Sequence, residues 1–522
     1  MDTPTPPTAW ERTTTRRFFR WLFRWQTVRH TLIVLAWVVT LIALLYGEEN
    51  WRGRRTWNTY RQELEATGAQ LDLQAFIPPP IPDEQNFAAT PFVESWFPKG
   101  HTWEDSFSKA DAKLPGQDQS RRQFTDLVAW GAALKAVEGG TINSYRYTDT
   151  GKLDAESRAQ AAPAVLAGLQ GDEAIFQELR AASLRPHIRY PVVYNLENPW
   201  GILLPHLAQI KTTCNRLRLK ASAELAAGQS DQALEDLKLL FYMADSVKEE
   251  PFLISYLVRI ACLQLAIQPI WEGLSEHRWS AAQLEDLEAR LQRLDLLKDL
   301  DRPRAAERAA TILTADLLYR QKYRLSDLAE PQSGLSPSLW GGDFVNLLGR
   351  IAPHGWYYLE QVNLCRFYQN QSPGAFDPAQ KRISPHLLAS DAQELQRQIS
   401  GGGLGKELNA LLHHQVLAAL MQPGLAKFPF KAASAQATLD QAALACALER
   451  CRLADGRFPE KLEALVPRFV AQLPKDALTG EPYRYRRVAD AQFVLYSVGW
   501  DEKDDGGVSG KTLFDEQGDW VW

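Results

Sequence analysis

At 522 residues the chain is long enough for two or three domains, each with a core of its own. It is 45% hydrophobic and 23% charged, and a net charge of −5 with a pI near 6.1 argues against the global basic footprint of a nucleic-acid binder. Cys214, Cys262, Cys365, Cys446 and Cys451 are scattered and odd in number, with no CxxC or Cys/His cluster, which argues against a zinc site and a disulfide framework.

The first predicted element is a membrane anchor. Thr31 to Gly47 (TLIVLAWVVTLIALLYG) carries no charge and spans about 26 Å as a helix, so Gln26 to His30 help complete a crossing, with Arg29 snorkelling to the headgroups. Arg12, Arg16, Arg17, Arg20, Arg24 and Arg29 precede the span. Glu48 and Glu49 follow it, and only then Arg52, Arg54 and Arg55. That asymmetry predicts a single pass with the N-terminus in the cytoplasm and the bulk of the chain on the far side, periplasmic if the membrane is a bacterial inner membrane. Phe18, Phe19, Trp21, Leu22, Phe23 and Trp25, interleaved with the leading arginines, suit an interfacial helix on an anionic leaflet. A buried core helix would rarely carry such a flank. Leu45-Tyr46-Gly47 is a poor signal-peptidase site, and no lipobox cysteine follows.

Beyond the anchor, a short helix over Trp57 to Thr67 gives way to Phe76-Ile-Pro-Pro-Pro-Ile-Pro82, read as a polyproline II spacer that holds the next domain off the bilayer. Helical signals dominate from about Gln119 to Pro303. Leu203 to Ala227 and Asp231 to Val247 read as a helical pair with Gly228 as stop and Ser230 as N-cap, and a third helix starts at Pro251. Ala223 to Leu234 resembles one tetratricopeptide-like hairpin, without the 34-residue copies of an array. Ser280 and Gln283 form a capping box ahead of Leu284, Leu287, Leu291, Leu294 and Leu297, which recur at helical spacing. Helical patches at Ala305 to Arg324, His354 to Asn370 and Ser390 to Ile399 alternate with loops up to about Phe428.

Motifs of catalysis are incomplete. Gly401 to Glu407 (GGGLGKE) fails as a phosphate loop, because Ser400 replaces the first glycine and Glu407 stands where magnesium needs Ser or Thr. His413 and His414, adjacent on a predicted helix, point about 100° apart and do not chelate one metal together. No HExxH or GxSxG occurs, and Glu307, Arg308 and Asp316 on one helical segment read as a structural ion-pair set.

The last ninety or so residues carry the sharpest pattern. A helix from about Ala432 to Ala454 ends at Asp455-Gly456. Phe458-Pro459, Leu473-Pro474-Lys-Asp476, Gly480-Glu-Pro482-Tyr483 and Tyr496-Ser-Val-Gly-Trp-Asp501 follow, with two strands predicted around Tyr483/Tyr485 and Phe493/Leu495. This order resembles the globular part of type II secretion major pseudopilins. The resemblance covers 432–522 only. The family's N-terminal processing signal and contiguous hydrophobic helix are missing here, and Asp476-Ala477-Leu-Thr-Gly480 departs from its aspartate–proline–tryptophan–glycine turn. It implies an α+β fold and calcium in the loop before the tail, with Asp501, Asp504 and Asp505 as ligands and Asp515 or Asp519 closing the shell. The residues alone are equally those of a solvated acidic turn.

The reading is therefore mainly α: a basic segment (1–30), one transmembrane helix (31–47), a stalk with a proline-rich spacer (48–100), an irregular helical bundle (101–303), a mixed helix and loop region (304–430) and a small α+β module (431–522). It predicts a membrane-anchored extracytoplasmic scaffold or adaptor with protein partners and no nucleic acid. The alternative is an anchored hydrolase or ligand-binding protein with its site in the helical domain.

Overall fold

A computed structural model describes residues 25–97, 121–136, 154–323, 349–368, 374–400, 413–417, 427–490 and 492–522. The predicted interfacial helix of the leading arginines and the glycine run 401–407 lie outside the described residues. The fold is mainly helical, with a small antiparallel sheet near the C-terminus.

The anchor and the short helix predicted after it are one element, α1 (Trp25–Ala66). Nothing between them breaks a helix. Arg52 pairs with Glu48 and Glu49, and Arg61 with Glu65, at the three- and four-residue spacings that support helical structure. At 42 residues α1 is about 63 Å long, and the most apolar window of it, with a mean hydropathy of 2.1, is wholly uncovered by the rest of the protein. A second helix is long and apolar enough to cross a membrane, but most of it is buried inside the fold, which makes it a core helix.

The bundle is built from α2 (Leu127–Ala136), α3 (Ala155–Gly168), α4 (Glu173–Ala182), α5 (Pro205–Ala226), α6 (Ser230–Asp245), α7 (Leu253–Ser275, the core helix just mentioned), α8 (Ala281–Gln292) and α9 (Asp301–Tyr319). The α5–α6 pair forms as expected, turning at Gly228 (φ +78°). Ser230 is not its N-cap. Gln229 occupies that position without a side-chain bond, and the Ser230 hydroxyl accepts from Gln283 Nε2 at 3.1 Å, tying α6 to α8. Pro251 lies two residues ahead of the third helix, α7. The Ser280–Gln283 capping box is complete, and the five leucines after it are all buried.

The proline run is not a free stalk. Arg302 Nη2 donates to the Phe76 carbonyl (3.0 Å) and Arg189 Nε to that of Pro78 (3.0 Å), while Leu73 and Phe76 are buried against Ala306, Ala309 and Ala310 of α9. Phe87, Val93 and Trp96 go further and enter the main core. Apolar side chains flanking the prolines have a surface to bury, and that outweighs extension into solvent.

After α9 come α10 (His354–Tyr368), a two-stranded ribbon of β1 (Phe376–Asp377) and β2 (Arg382–Ile383), α11 (Pro385–Ser400) and α12 (Phe428–Asp455). Alanines at 432, 433, 435, 437, 442, 443, 445 and 447 keep α12 thin enough to be enclosed on nearly every side, and α8 packs along it. The helix ends at Gly456 (φ +79°), whose N–H bonds the Arg452 carbonyl at 2.8 Å. Beyond it, β3 (Arg484–Ala489), β4 (Gln492–Ser497) and β5 (Trp520–Val521) form an antiparallel sheet in that order, with Tyr485 opposite Leu495 and Ser497 opposite Trp520. Trp520 is fully buried, edge-on to Phe430 and Phe514, and its carbonyl accepts from Gln441 Nε2 at 2.7 Å. One apolar core runs from Phe87 through the bundle and α12 to Trp520, so packing is continuous across residue 430. All five cysteines are free and buried.

Candidate functional site

Among the described residues, polar chemistry concentrates at the junction of α1 with α10, in the acidic loop between β4 and β5, and in buried ionic clusters of the bundle.

At the junction, Tyr46, Asn50, Gly53 and Trp57 recur at helical spacing along one stripe of α1 and face α10. Gly53 and Gly355 meet backbone to backbone. A Cβ on Gly53 would stand 2.2 Å from the Gly355 oxygen, and one on Gly355 would stand 1.9 Å from the Glu49 oxygen. Only glycine at both positions permits this approach. Asn50 Oδ1 accepts the Gly355 N–H (2.7 Å), and Tyr46 donates its hydroxyl to the Ile351 carbonyl. His414 Nε2 is 2.6 Å from Glu49 Oε1, and Glu49 also receives Arg52. Burial lowers the His414 pKa. Burial raises that of Glu49, but the bonds from Arg52 and His414 outweigh it and leave its carboxyl below the ordinary value. The two histidines lie in a turn, not on a helix, and His414 has φ +57°. That turn aims His414 at α1.

Glu360 holds the same turn from the other side. It is fully buried on α10, and its two oxygens accept the backbone N–H groups of Val416 (2.8 Å) and Leu417 (3.0 Å). Burial pushes its carboxyl up to about 8, against the pull of those two amides. Because the folded pKa is raised from 4.5, its stabilising contribution is fully present below that value and is lost as pH climbs through about 8. We expect the unfolding midpoint to fall between about pH 4.5 and pH 8 and to level off above, and Glu360→Gln to flatten that part of the profile, as read by thermal denaturation across pH.

In the acidic loop the five expected calcium ligands do not converge. Asp501 Oδ1 accepts the Lys503 N–H (3.2 Å), and Asp515 accepts those of Lys511 (3.1 Å) and Glu516 (2.7 Å). Asp504 accepts the Tyr496 hydroxyl (2.9 Å) and the Gly506 N–H (3.0 Å), and these bonds lower its pKa. Asp505 is exposed, and its own N–H donates to Asp519 at 3.3 Å. Asp519 is fully buried and also accepts the Gly507 N–H at 2.6 Å. Burial raises its pKa against the bonds it accepts. Among the described residues no group of three or more His, Cys, Asp or Glu is placed to hold a metal ion. In this arrangement the carboxylates fit loop bracing and not a preassembled calcium shell. Asp519→Ala leaves two loop amides without an acceptor and is expected to cost about 1–3 kcal/mol, read as a lower denaturant midpoint with the slope unchanged.

The bundle holds one cluster with the residue types of nucleophilic catalysis. His206, fully buried at the start of α5, packs against the rings of Tyr190 (4.4 Å) and Phe97 (5.5 Å), with Nε2 2.7 Å from Glu250 Oε1. Ser255 donates to the other Glu250 oxygen, not to the imidazole. A serine activated for attack needs the histidine beside it, and here the carboxylate stands between them. The cluster is a buried tie joining α5, α7 and the turn before α7. The Glu307, Arg308 and Asp316 set is likewise structural but not mutually paired. Glu307 meets the Leu253 backbone N–H, with burial raising its carboxyl to about 7, and Asp316 accepts from Gln361 (3.1 Å).

Sequence reasoning named the loop aspartates and missed Asn50, Gly53, Gly355 and Glu360. Gly53 does interrupt a run of helix formers between Arg52 and Arg54, which signals a close approach without saying to what. Comparison of the chain with family models, with curated proteins and with solved structures finds no match.

Proposed function

We propose that this protein is a membrane-anchored scaffold or adaptor, held by α1 in a bacterial cytoplasmic membrane with its N-terminus in the cytoplasm and its folded mass in the periplasm. The observation that carries this reading is the unbroken passage of α1 from its apolar span into the folded body, where Gly53 and Gly355 lock it to α10. A loose tether lets a domain roam. A clamped shaft fixes the height and orientation of a docking surface, which is what an adaptor requires.

Residues 431–522 supply a pseudopilin-like end in this reading. Its support is the order of a long helix, a glycine stop, and an antiparallel sheet with an acidic loop before its last strand. Because α12 is shared with the bundle, the module belongs to one body and does not polymerise through a helix of its own. The α5–α6 pair is a single tetratricopeptide-like hairpin within the bundle.

Truncation after Phe428 would remove a core helix, so the test uses the full chain. A photo-crosslinking residue is placed at the exposed Val488 or Val508 of the module, or at Leu184 of the bundle, and irradiated in native membranes. The scaffold reading expects a discrete adduct to one protein from at least one position. No adduct above background from all three would contradict it.

A further inference from the structure

We infer that the short helical stretch at residues 349–351, just ahead of α10, lies in the interfacial layer of the membrane, so that the folded body touches lipid at a second point besides the anchor. The inference rests on the proposed reading of α1 as a membrane span. Depth is set by Tyr46, in the last turn of that span. Side chains on an α-helix lean toward its N-terminus, which here is the membrane side, so the Tyr46 hydroxyl lies at or below the level of its own Cα. That hydroxyl donates to the Ile351 carbonyl, which places Ile351 within about one helical turn (~5 Å) of the edge of the span. One turn further out, Asn50 takes the Gly355 N–H, so α10 begins at the membrane surface and rises beside α1.

The backbone carries a further sign. The last carbonyls of a helix have no partner within it, and at an aqueous surface water serves them. Here two come from tyrosine hydroxyls outside that helix: Tyr357 donates to the Gly349 carbonyl at 2.6 Å, and Tyr46 to that of Ile351. Water thins from the headgroups toward the acyl region, so protein partners of this kind suit a helix end at that depth. The side chains at this level suit the same surroundings. Ile351 is 53% exposed although apolar, and Arg350 beside it is long enough to reach phosphate from below. On the free face of α1, exposed Trp51 stacks under Arg55 at 5.3 Å, an aromatic and basic pair of the kind found at headgroup level. The partner is the headgroup and upper acyl region of the leaflet facing the folded body.

The test attaches a nitroxide to Ile351→Cys, Leu45→Cys or Leu184→Cys in the full-length protein, reconstituted in phosphatidylethanolamine/phosphatidylglycerol vesicles. The native cysteines are all buried and leave the introduced one as the accessible thiol. Power saturation compares collisions with oxygen and with a water-soluble nickel chelate. We expect the 351 label to resemble that at 45, with nickel collisions several-fold below those at 184. Nickel access at 351 equal to that at 184, with 45 still protected, overturns the inference and leaves the anchor intact. Nickel access at all three positions overturns both.

Discussion

A valine at position 355 is expected to release α1 from α10 while leaving the bundle folded. Its Cβ would stand 1.9 Å from the Glu49 carbonyl oxygen, and a Cβ at position 53 would stand 2.2 Å from that of Gly355. Both obstacles are backbone, so no rotamer change relieves them and the helices must part. Overpacking a core costs about 1–3 kcal/mol where side chains can shift, and a backbone clash belongs at or above the top of that range. Separation also removes the Asn50–Gly355 bond, the Tyr46–Ile351 bond and the Glu49–His414 contact. Hydrogen exchange reads this directly. Protection over 48–66 should fall about tenfold or more, since tenfold corresponds to about 1.4 kcal/mol. Protection in α8 and α12 should hold. Unchanged protection over 48–66 would mean that the glycine crossing is not what fastens the anchor.

Arg158→Met should destabilise the bundle strongly. The arginine side chain is 1% exposed, and its guanidinium spans Glu272 (Nη2 to Oε2, 2.7 Å) and Glu276 above the ring of Phe124. Glu272 also accepts the Thr125 backbone N–H (2.7 Å) and Gln268 Nε2 (2.8 Å), so one residue organises α2's entry, α3 and α7. Removing one partner of a buried ion pair leaves an uncompensated charge and costs about 3–5 kcal/mol. Adding Glu272→Gln retains an acceptor for the Thr125 amide and removes one buried charge, so the double variant should recover part of the loss. Chemical denaturation of the three proteins checks this, and a double variant less stable than Arg158→Met would contradict the buried-charge account.

These two sites also mark where sequence stops being informative. Elements set by neighbours in the chain were legible: the Ser280–Gln283 capping box, the leucine face of α8, the Gly228 turn, the end of α12 at Gly456 and the β3–β4 hairpin all depend on residues a few positions apart. Gly53 and Gly355 are about three hundred residues apart, and so are Asn50 and Gly355. Neither member of either pair carries a local signal naming the other. The same holds for Arg158 with Glu272, and for Phe76 with the alanines of α9. The proline run had a sound local reading as a spacer, and tertiary burial of its flanking aromatics overrode it. The acidic loop is a different case. The resemblance implied a cation there, while the glycine turns expose backbone amides that Asp504 and Asp519 accept.

If Gly53 and Gly355 clamp α1 to α10, the membrane span and the folded body move as one rigid unit. Spin labels at Leu45→Cys, at the outer end of the span, and Leu184→Cys, on the bundle surface, give the distance distribution between them by pulsed electron resonance in vesicles. A clamped shaft predicts one narrow distribution, broadened in the Gly355→Val variant. A broad distribution in the otherwise wild-type chain, matching that of the variant, would show a flexible tether and contradict the clamp.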